Sequence, residues 1–322
     1  MYMKSKISAV SLLVIFFCGL WMPLRMGSAQ EAEVPLFKRE THLINLTFSV
    51  RRPDGSLVTS LGQEDFQVSE DGVEQKIAFF DKESQIPLTL GLLVDVSDSQ
   101  SKFFNRHRKD VEKFLKTVVG PKDEVFAMCF GNHLRITGEK SATKDDLLQG
   151  LESFDKGERN FPELAQDDPR DGGTALFDAV YYSVQQKLAQ AEGRRRVLVL
   201  FTDGEENSST HDQMEAIDAA RESNTLIFAI HYKSGKERKA PHARQGEANL
   251  LHLAAESGGS EYDAMQMNVS KAFEQIASEL KSLYSIAYHS THNKRDGSFH
   301  RVVITTSDPE LSVRARTGYY AR

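Results

Sequence analysis

Hydrophobic and polar positions change their period twice along the chain. From His42 they alternate: Ile44, Leu46, Phe48 and Val50 point one way, while Asn45, Thr47 and Ser49 point the other. That is the period of two of a half-buried strand. Pro53-Asp-Gly55 signals a tight turn, because Asp and Gly accept the backbone angles that a reversal needs. Phe66 and Val68 alternate again, Asp71-Gly72 turns, and Ile77 and Phe79 alternate once more. Residues 42–82 thus read as a small antiparallel β module, too short to bury much core alone.

After Pro87 the pattern becomes continuous apolar runs separated by helical spacing. Strands are expected at 88–95, 124–130, 134–137, 197–202, 225–231 and near 260–264. Helices are expected at 103–119, from Thr143, and at 175–190, 213–223, 247–257 and 269–283. Short apolar runs of this kind suit strands buried on both faces, and strand–helix alternation predicts a mostly parallel sheet with helices on both faces, an α/β Rossmann-like three-layer sandwich. Residues 155–173 read as a long polar loop, Lys233 to Gly246 as a basic flexible one, and Arg194-Arg-Arg196 as a solvated entry to a strand. From residue 284 alternation returns at Tyr284, Ile286 and Tyr288, then Val302 and Ile304, then Leu311 and Val313. Two incomplete β pieces flank one α/β unit. The economical expectation divides the chain into 30–86, 87–283 and 284–322, with the two flanks packing on each other.

The N-terminal stretch adds a separate expectation. Lys4 and Lys6 precede an apolar run from Ile7 to Leu20, and Gly27-Ser28-Ala29 has the small residues of a signal-peptide cut, so residues 1–29 read as an export signal. An uncleaved anchor is the alternative. Its removal takes three cations and no acid, shifting the formal net charge from −6 to −9. An acidic surface speaks against nucleic acid as a partner. Outside that stretch no run is long and apolar enough to span a bilayer, so no membrane insertion is expected after cleavage. Cys129 is the one cysteine outside the signal and lies in an apolar run; it reads as an inert buried thiol.

Candidate chemistry collects at strand ends. Leu88–Asp95 runs straight into Val-Ser97-Asp98-Ser99; Asp171-Gly-Gly-Thr174 precedes a helix; Val197–Thr202 runs into Asp203-Gly-Glu205-Glu206. Carboxyl ends of parallel strands are where such sheets bind ligands. Asp95, Ser97, Ser99, Thr174 and Asp203 are all hard oxygen donors, and three hydroxyls with only two carboxylates suit Mg²⁺ or Mn²⁺ with waters completing the shell. Asp95 and Ser97 could instead merely cap the next helix, but that leaves Thr174 and Asp203 unexplained. No metal-binding His or Cys spacing surrounds His231, His242 and His252, and Gly172-Gly173 is too short for a phosphate loop.

Taken in order and spacing, Asp-Val-Ser-Asp-Ser, Gly-Gly-Thr and Phe-Thr-Asp-Gly resemble the von Willebrand factor type A domain and its metal-ion-dependent adhesion site. Two flanking runs, Asp65–Gly72 and Arg314–Tyr319, resemble those of exported bacterial proteins carrying this domain. The resemblance implies that Ser97, Ser99 and Thr174 touch the metal directly or through water, with Asp95 and Asp203 acting mainly through waters. It also implies a cation left under-neutralised, completed by an Asp or Glu of a partner protein. Asp98 stands where Gly is common and Gln100 where Met is common. With Asp171, Glu205 and Glu206, Asp98 adds an acidic rim beside the site. The resulting expectation is an exported, non-enzymatic, metal-dependent binding or adhesion protein, periplasmic, cell-surface or secreted. The alternatives are a metal-dependent hydrolase, with Glu205 the candidate base, and an envelope scaffold with a vestigial site.

Overall fold

A computed structural model describes residues 43–83, 86–140, 142–166, 172–233, 241–292 and 294–321. The expected signal at 1–29, the leader that follows, and Asp171 lie outside the described residues. Among the described residues no helix is long and apolar enough to cross a membrane.

The first flank supplies β1 (Leu43–Arg51), β2 (Phe66–Glu70), β3 (Val73–Gln75) and β4 (Ile77–Glu83). The central region runs β5 (Leu88–Asp95), α1 (Phe104–Thr117), β6 (Glu124–Phe130), β7 (Leu134–Gly138), α2 (Lys144–Asp155), β8 (Glu163–Leu164) and α3 (Leu176–Ser183). It continues β9 (Arg195–Thr202), α4 (Gln213–Glu222), β10 (Thr225–His231), α5 (Pro241–Ser257), β11 (Glu261–Asp263) and α6 (Val269–Leu280). The last flank supplies β12 (Leu283–His289), β13 (Phe299–Thr306), β14 (Ser312–Ala315) and β15 (Gly318–Tyr320).

The central sheet has the order β11-β10-β9-β5-β6-β7-β8. Its first five strands are parallel, and β7 and β8 are antiparallel. Side chains alternate across a strand, so Leu90, Leu92 and Val94 of β5 join the core under α1 and α6, while Leu93 joins the core under α3, α4 and α5. That double burial explains why β5, apart from Thr89, carries no polar side chain until Asp95. The chain leaves β5 for β6 on one side and later returns to β9 on the other. β5 therefore stands at the reversal of strand order, where a crevice opens beyond the strand ends. The fold class is the expected one.

The flanks interleave. One sheet has the order β14-β1-β12-β4 and a second β15-β13-β2-β3. Leu46, Phe48, Tyr284 and Ile286 of the first bury against Phe66, Val68, Val302 and Ile304 of the second. Phe48 stacks on Tyr284 at 5.6 Å and meets Phe66 edge-on at 5.2 Å.

Several local readings need correction. β1 is not half-buried: Thr47 and Ser49 are buried as well, because its polar face lies on the central region. Ser49 Oγ donates to Glu279 of α6 at 2.7 Å, Arg51 pairs with the same carboxylate at 2.6 Å, and Asn224 Nδ2 donates to Thr47 at 3.0 Å. Arg195 is buried rather than solvated, donating to the Leu280 carbonyl at 2.5 Å; its charge serves the end of α6. α5 begins at Pro241, six residues earlier than expected, since Pro suits the first turn of a helix, where no N–H is needed. Short β8 and β15 were not foreseen. Cys129 is buried, and burial pushes its thiol up.

Because Phe48 and Tyr284 fill one core from opposite ends of the chain, Phe48→Ala should cost about 3–5 kcal/mol of stability. Combined with Tyr284→Ala it should cost less than the two single losses added. Strict additivity in denaturant titrations would contradict a shared core.

Candidate metal centre

Asp95 is the last residue of β5 and has no exposed surface. A strand buried on both faces delivers its terminal carboxylate into protein rather than water. Oδ1 accepts the Ser97 N–H at 2.9 Å and Oδ2 accepts the Thr202 hydroxyl at 2.5 Å. Burial first, and then the charge of Asp203, pushes the Asp95 carboxyl up to about 7 from its ordinary 3.8.

Asp203 follows β9 directly and is also buried. Its Oδ1 accepts the Glu205 N–H at 3.0 Å. Its Oδ2 accepts both Ser99 Oγ and Gln100 Nε2 at 2.7 Å. Ser99 Oγ in turn lies 3.2 Å from Ser97 Oγ. A run of oxygens, Ser97 to Ser99 to Asp203, thus bridges the tips of β5 and β9.

Thr174 approaches from a third segment. Its N–H donates to Asn207 Oδ1 at 2.8 Å and its carbonyl accepts the Asn207 N–H at 3.1 Å. The preceding Gly173 has φ of +85°, and a Cβ there would stand 2.2 Å from Asn207 Oδ1. Glycine is what lets this loop close on its neighbour. Thr174 lines the same open cleft, of about 650 Å³, as Ser97 and Ser99.

The expected rim divides. Asp98 is exposed. Glu205 is ion-paired with Lys233, which is 3% exposed and also stands 3.9 Å from Asp203 Oδ2. Glu206 is turned inward: it accepts the Phe177 N–H at the start of α3 at 3.1 Å, and the Ser208 and Ser209 N–H groups at 2.8 Å. An acid at a helix N-terminus answers its unpaired N–H groups. Opposite, His133, Arg135 and Arg159 line the cleft.

Sequence reasoning missed Thr202, Gln100, Asn207 and Lys233 as neighbours of this centre. Thr202 and Gln100 sat inside or beside the quoted motifs. Lys233 could have been found from strand order alone, because β10 lies beside β9 and the chain passes Lys233 two residues beyond its end.

The donor set suits a hard cation. Every side chain offered is oxygen, and the 3.2 Å between Ser97 Oγ and Ser99 Oγ is near the edge, about 3 Å, of an octahedron with Mg²⁺-type bonds. A cation would also offset the burial and the neighbouring Asp203 charge that push the Asp95 carboxyl up.

Residues 90–258 match the sequence profile of the von Willebrand factor type A domain. The chain is similar to an aerotolerance-related membrane protein from Bacteroides fragilis NCTC 9343, at 18% identity over 60% of this chain and 98% of that one, with a TM-score of 0.44. It is similar to mussel-byssus proximal thread matrix protein 1 with a zinc-occupied MIDAS motif, at 12% identity and a TM-score of 0.45, over 66% of this chain and 49%, about half, of that one. It is also similar to manganese-loaded TRAP protein of Plasmodium vivax, at 13% identity over 74% of this chain and 96% of that one, with a TM-score of 0.42. No curated protein matches it in sequence.

The raised carboxyl of Asp95 carries a pH signature. From about pH 3.8 to about pH 7 the folded chain keeps a proton that the unfolded chain has released, so this group's contribution to stability falls as pH rises through that window. Metal-free Asp95→Asn should therefore gain in melting temperature relative to wild type between pH 4 and 7. Melting curves that stay parallel across that range would contradict the assignment.

Proposed function

Starting from the chain's membership of the von Willebrand factor type A domain family, we propose that it is a metal-dependent protein-binding module. In this reading the hydroxyls of Ser97, Ser99 and Thr174, with Asp95 and Asp203, hold Mg²⁺ or Mn²⁺. The observation that carries the reading is the oxygen bridge from Ser97 through Ser99 to Asp203 across two strand tips, beside an open cleft that Thr174 also lines. Bound there, the ion supplies Lewis acidity toward one anionic oxygen from outside.

The chain's own residues prepare that preference. Hydroxyl donors add no negative charge. Thr202 and the Ser97 N–H hold the Asp95 carboxylate in place, and Gln100 and the Glu205 N–H do the same for Asp203. Lys233 neutralises Glu205, and Glu206 is spent on the loop and α3. Arg135 and Arg159 face the same cleft. The rim is thus less acidic than its composition suggests, which favours a carboxylate-bearing partner protein. Nucleic acid is not the partner in this reading.

Two competing roles gain less support. A hydrolase needs a base free to take a proton near the ion, yet Glu205 is held by Lys233 and His133 by Glu163 at 2.7 Å. A scaffold with a vestigial site would have no need of five intact oxygen donors. Action outside the cytoplasm, periplasmic, surface or secreted, is part of the proposal and rests on residues 1–29 of the sequence.

At a hundred times its dissociation constant, Mg²⁺ or Mn²⁺ should stabilise the protein by about 2.7 kcal/mol, a shift of several degrees in melting temperature. Asp95→Ala should abolish that shift, and an unresponsive wild type would remove the site. In pull-downs from the native envelope, a partner should be retained with Mg²⁺ and lost with EDTA or with Asp203→Ala. Equal retention in all three would mean binding by another surface.

A further inference from the structure

Outside this centre, a second set of ligating side chains converges in the flanking sheets. Glu70, at the end of β2, is fully buried. Among the described residues no lysine or arginine forms an ion pair with it. Its Oε2 accepts the hydroxyls of Tyr288 at 2.6 Å and Tyr319 at 3.1 Å. Its Oε1 accepts Ser290 Oγ at 2.6 Å and faces His292 Nδ1 at 2.8 Å and His300 Nδ1 at 4.0 Å. A buried carboxylate with no lysine or arginine paired to it among the described residues is costly.

The neighbouring histidine fixes the chemistry further. Ser298 Oγ donates its hydrogen to Asp296 Oδ1 at 2.5 Å. It is thereby left to accept from His300 Nε2, 3.1 Å away. The same ring presents Nδ1 to the acids, 2.7 Å from Asp71 Oδ2 and 4.0 Å from Glu70 Oε1. The His292 and His300 rings stand with centroids 4.7 Å apart. Two imidazoles thus converge on two carboxylates, and one divalent ion placed among them would serve all four.

We propose that Glu70, Asp71, His292 and His300 form a zinc site that clips the first flank of the chain to the last. One donor atom each from Glu70, His292 and His300 already lies within 4.8 Å of the others, against an edge of about 3.3 Å in a tetrahedron with Zn–N and Zn–O bonds near 2.0 Å. Two imidazoles with two carboxylates match the borderline character of Zn²⁺ better than the oxygen-only shell of Mg²⁺. Tyr288, Tyr319 and Ser298 orient the ligands, as hydrogen-bond partners do around metal sites. His292 and Asp71 are partly exposed, at 41% and 37%, so the ion has an entry from solvent. Glu70 and Asp71 belong to the run Asp65–Gly72, and Tyr319 to the run Arg314–Tyr319, two sequence features that the binding cleft does not use.

The test uses the full chain carrying Asp203→Ala, so that the strand-tip centre cannot retain the ion. The protein is stripped with EDTA, given Zn²⁺ alone, desalted and assayed by elemental analysis. About one zinc per chain, with a rise of several degrees in melting temperature, is the expected result. His292→Ala with His300→Ala should lose both. If that pair fails to fold, His292→Gln, at a partly exposed position, should weaken zinc affinity at least about tenfold, a loss seen even for partners of metal ligands. Absence of zinc after desalting would overturn the proposal. So would equal retention in the histidine variants, or a melting temperature that responds to pH but not to zinc.

Discussion

Two carboxylates are driven out of water at the tips of adjacent strands, and the local structure follows from that constraint. β5 is apolar on both faces because helices cover both faces. Its last side chain therefore has no solvent to reach. Asp203, just beyond β9, is buried as well, and its charge makes that of Asp95 harder to hold. The surrounding chain answers with hydroxyls and amides from three segments: Thr202, Ser99 and Gln100 on the carboxylates, and Thr174 brought alongside by Asn207. Such an arrangement gathers oxygen lone pairs at one sheet edge, which favours taking up a cation.

The flanking sheets meet a comparable problem by different means. They bury Glu70 rather than an aspartate pair, and they surround it with tyrosines, a serine and imidazoles. Their apolar core joins strands from opposite ends of the sequence. Glu279 of α6 ties β1 to the central region through Ser49 and Arg51. Central region and flanks are thus linked by buried polar contacts as well as by packing.

Much of the central fold was legible because burial on both faces leaves a clear mark. The runs 88–95, 124–130 and 225–231 are strands with the expected bounds, since an uninterrupted apolar stretch ending in an acid or a turn has few other readings. Thr143 with Asp146 marked the start of α2, and the capping box is there. Legibility failed where polar residues are buried against other polar residues. Thr47 and Ser49 looked solvent-facing, and Arg195 looked like a surface charge, because their partners, on α6 or between α4 and β10, lie more than eighty residues away. At the strand tips, the donors themselves could be named from motif spacing, whereas the side chains that hold them could not. Lys233 contacts Glu205 only because strand order sets β10 beside β9. The Glu70 cluster has no ligand-spacing signature in the sequence: its members are scattered over more than two hundred residues and meet only once β2 pairs with β13.

The central claim is that side chains from three distant segments share one hard cation. Anomalous diffraction from crystals of the full chain soaked in Mn²⁺ tests this most directly. A manganese peak within bonding distance of Ser97, Ser99 and Thr174 oxygens, absent from Asp203→Ala crystals, is the predicted result. A map with no peak among those residues at millimolar Mn²⁺ would contradict the account.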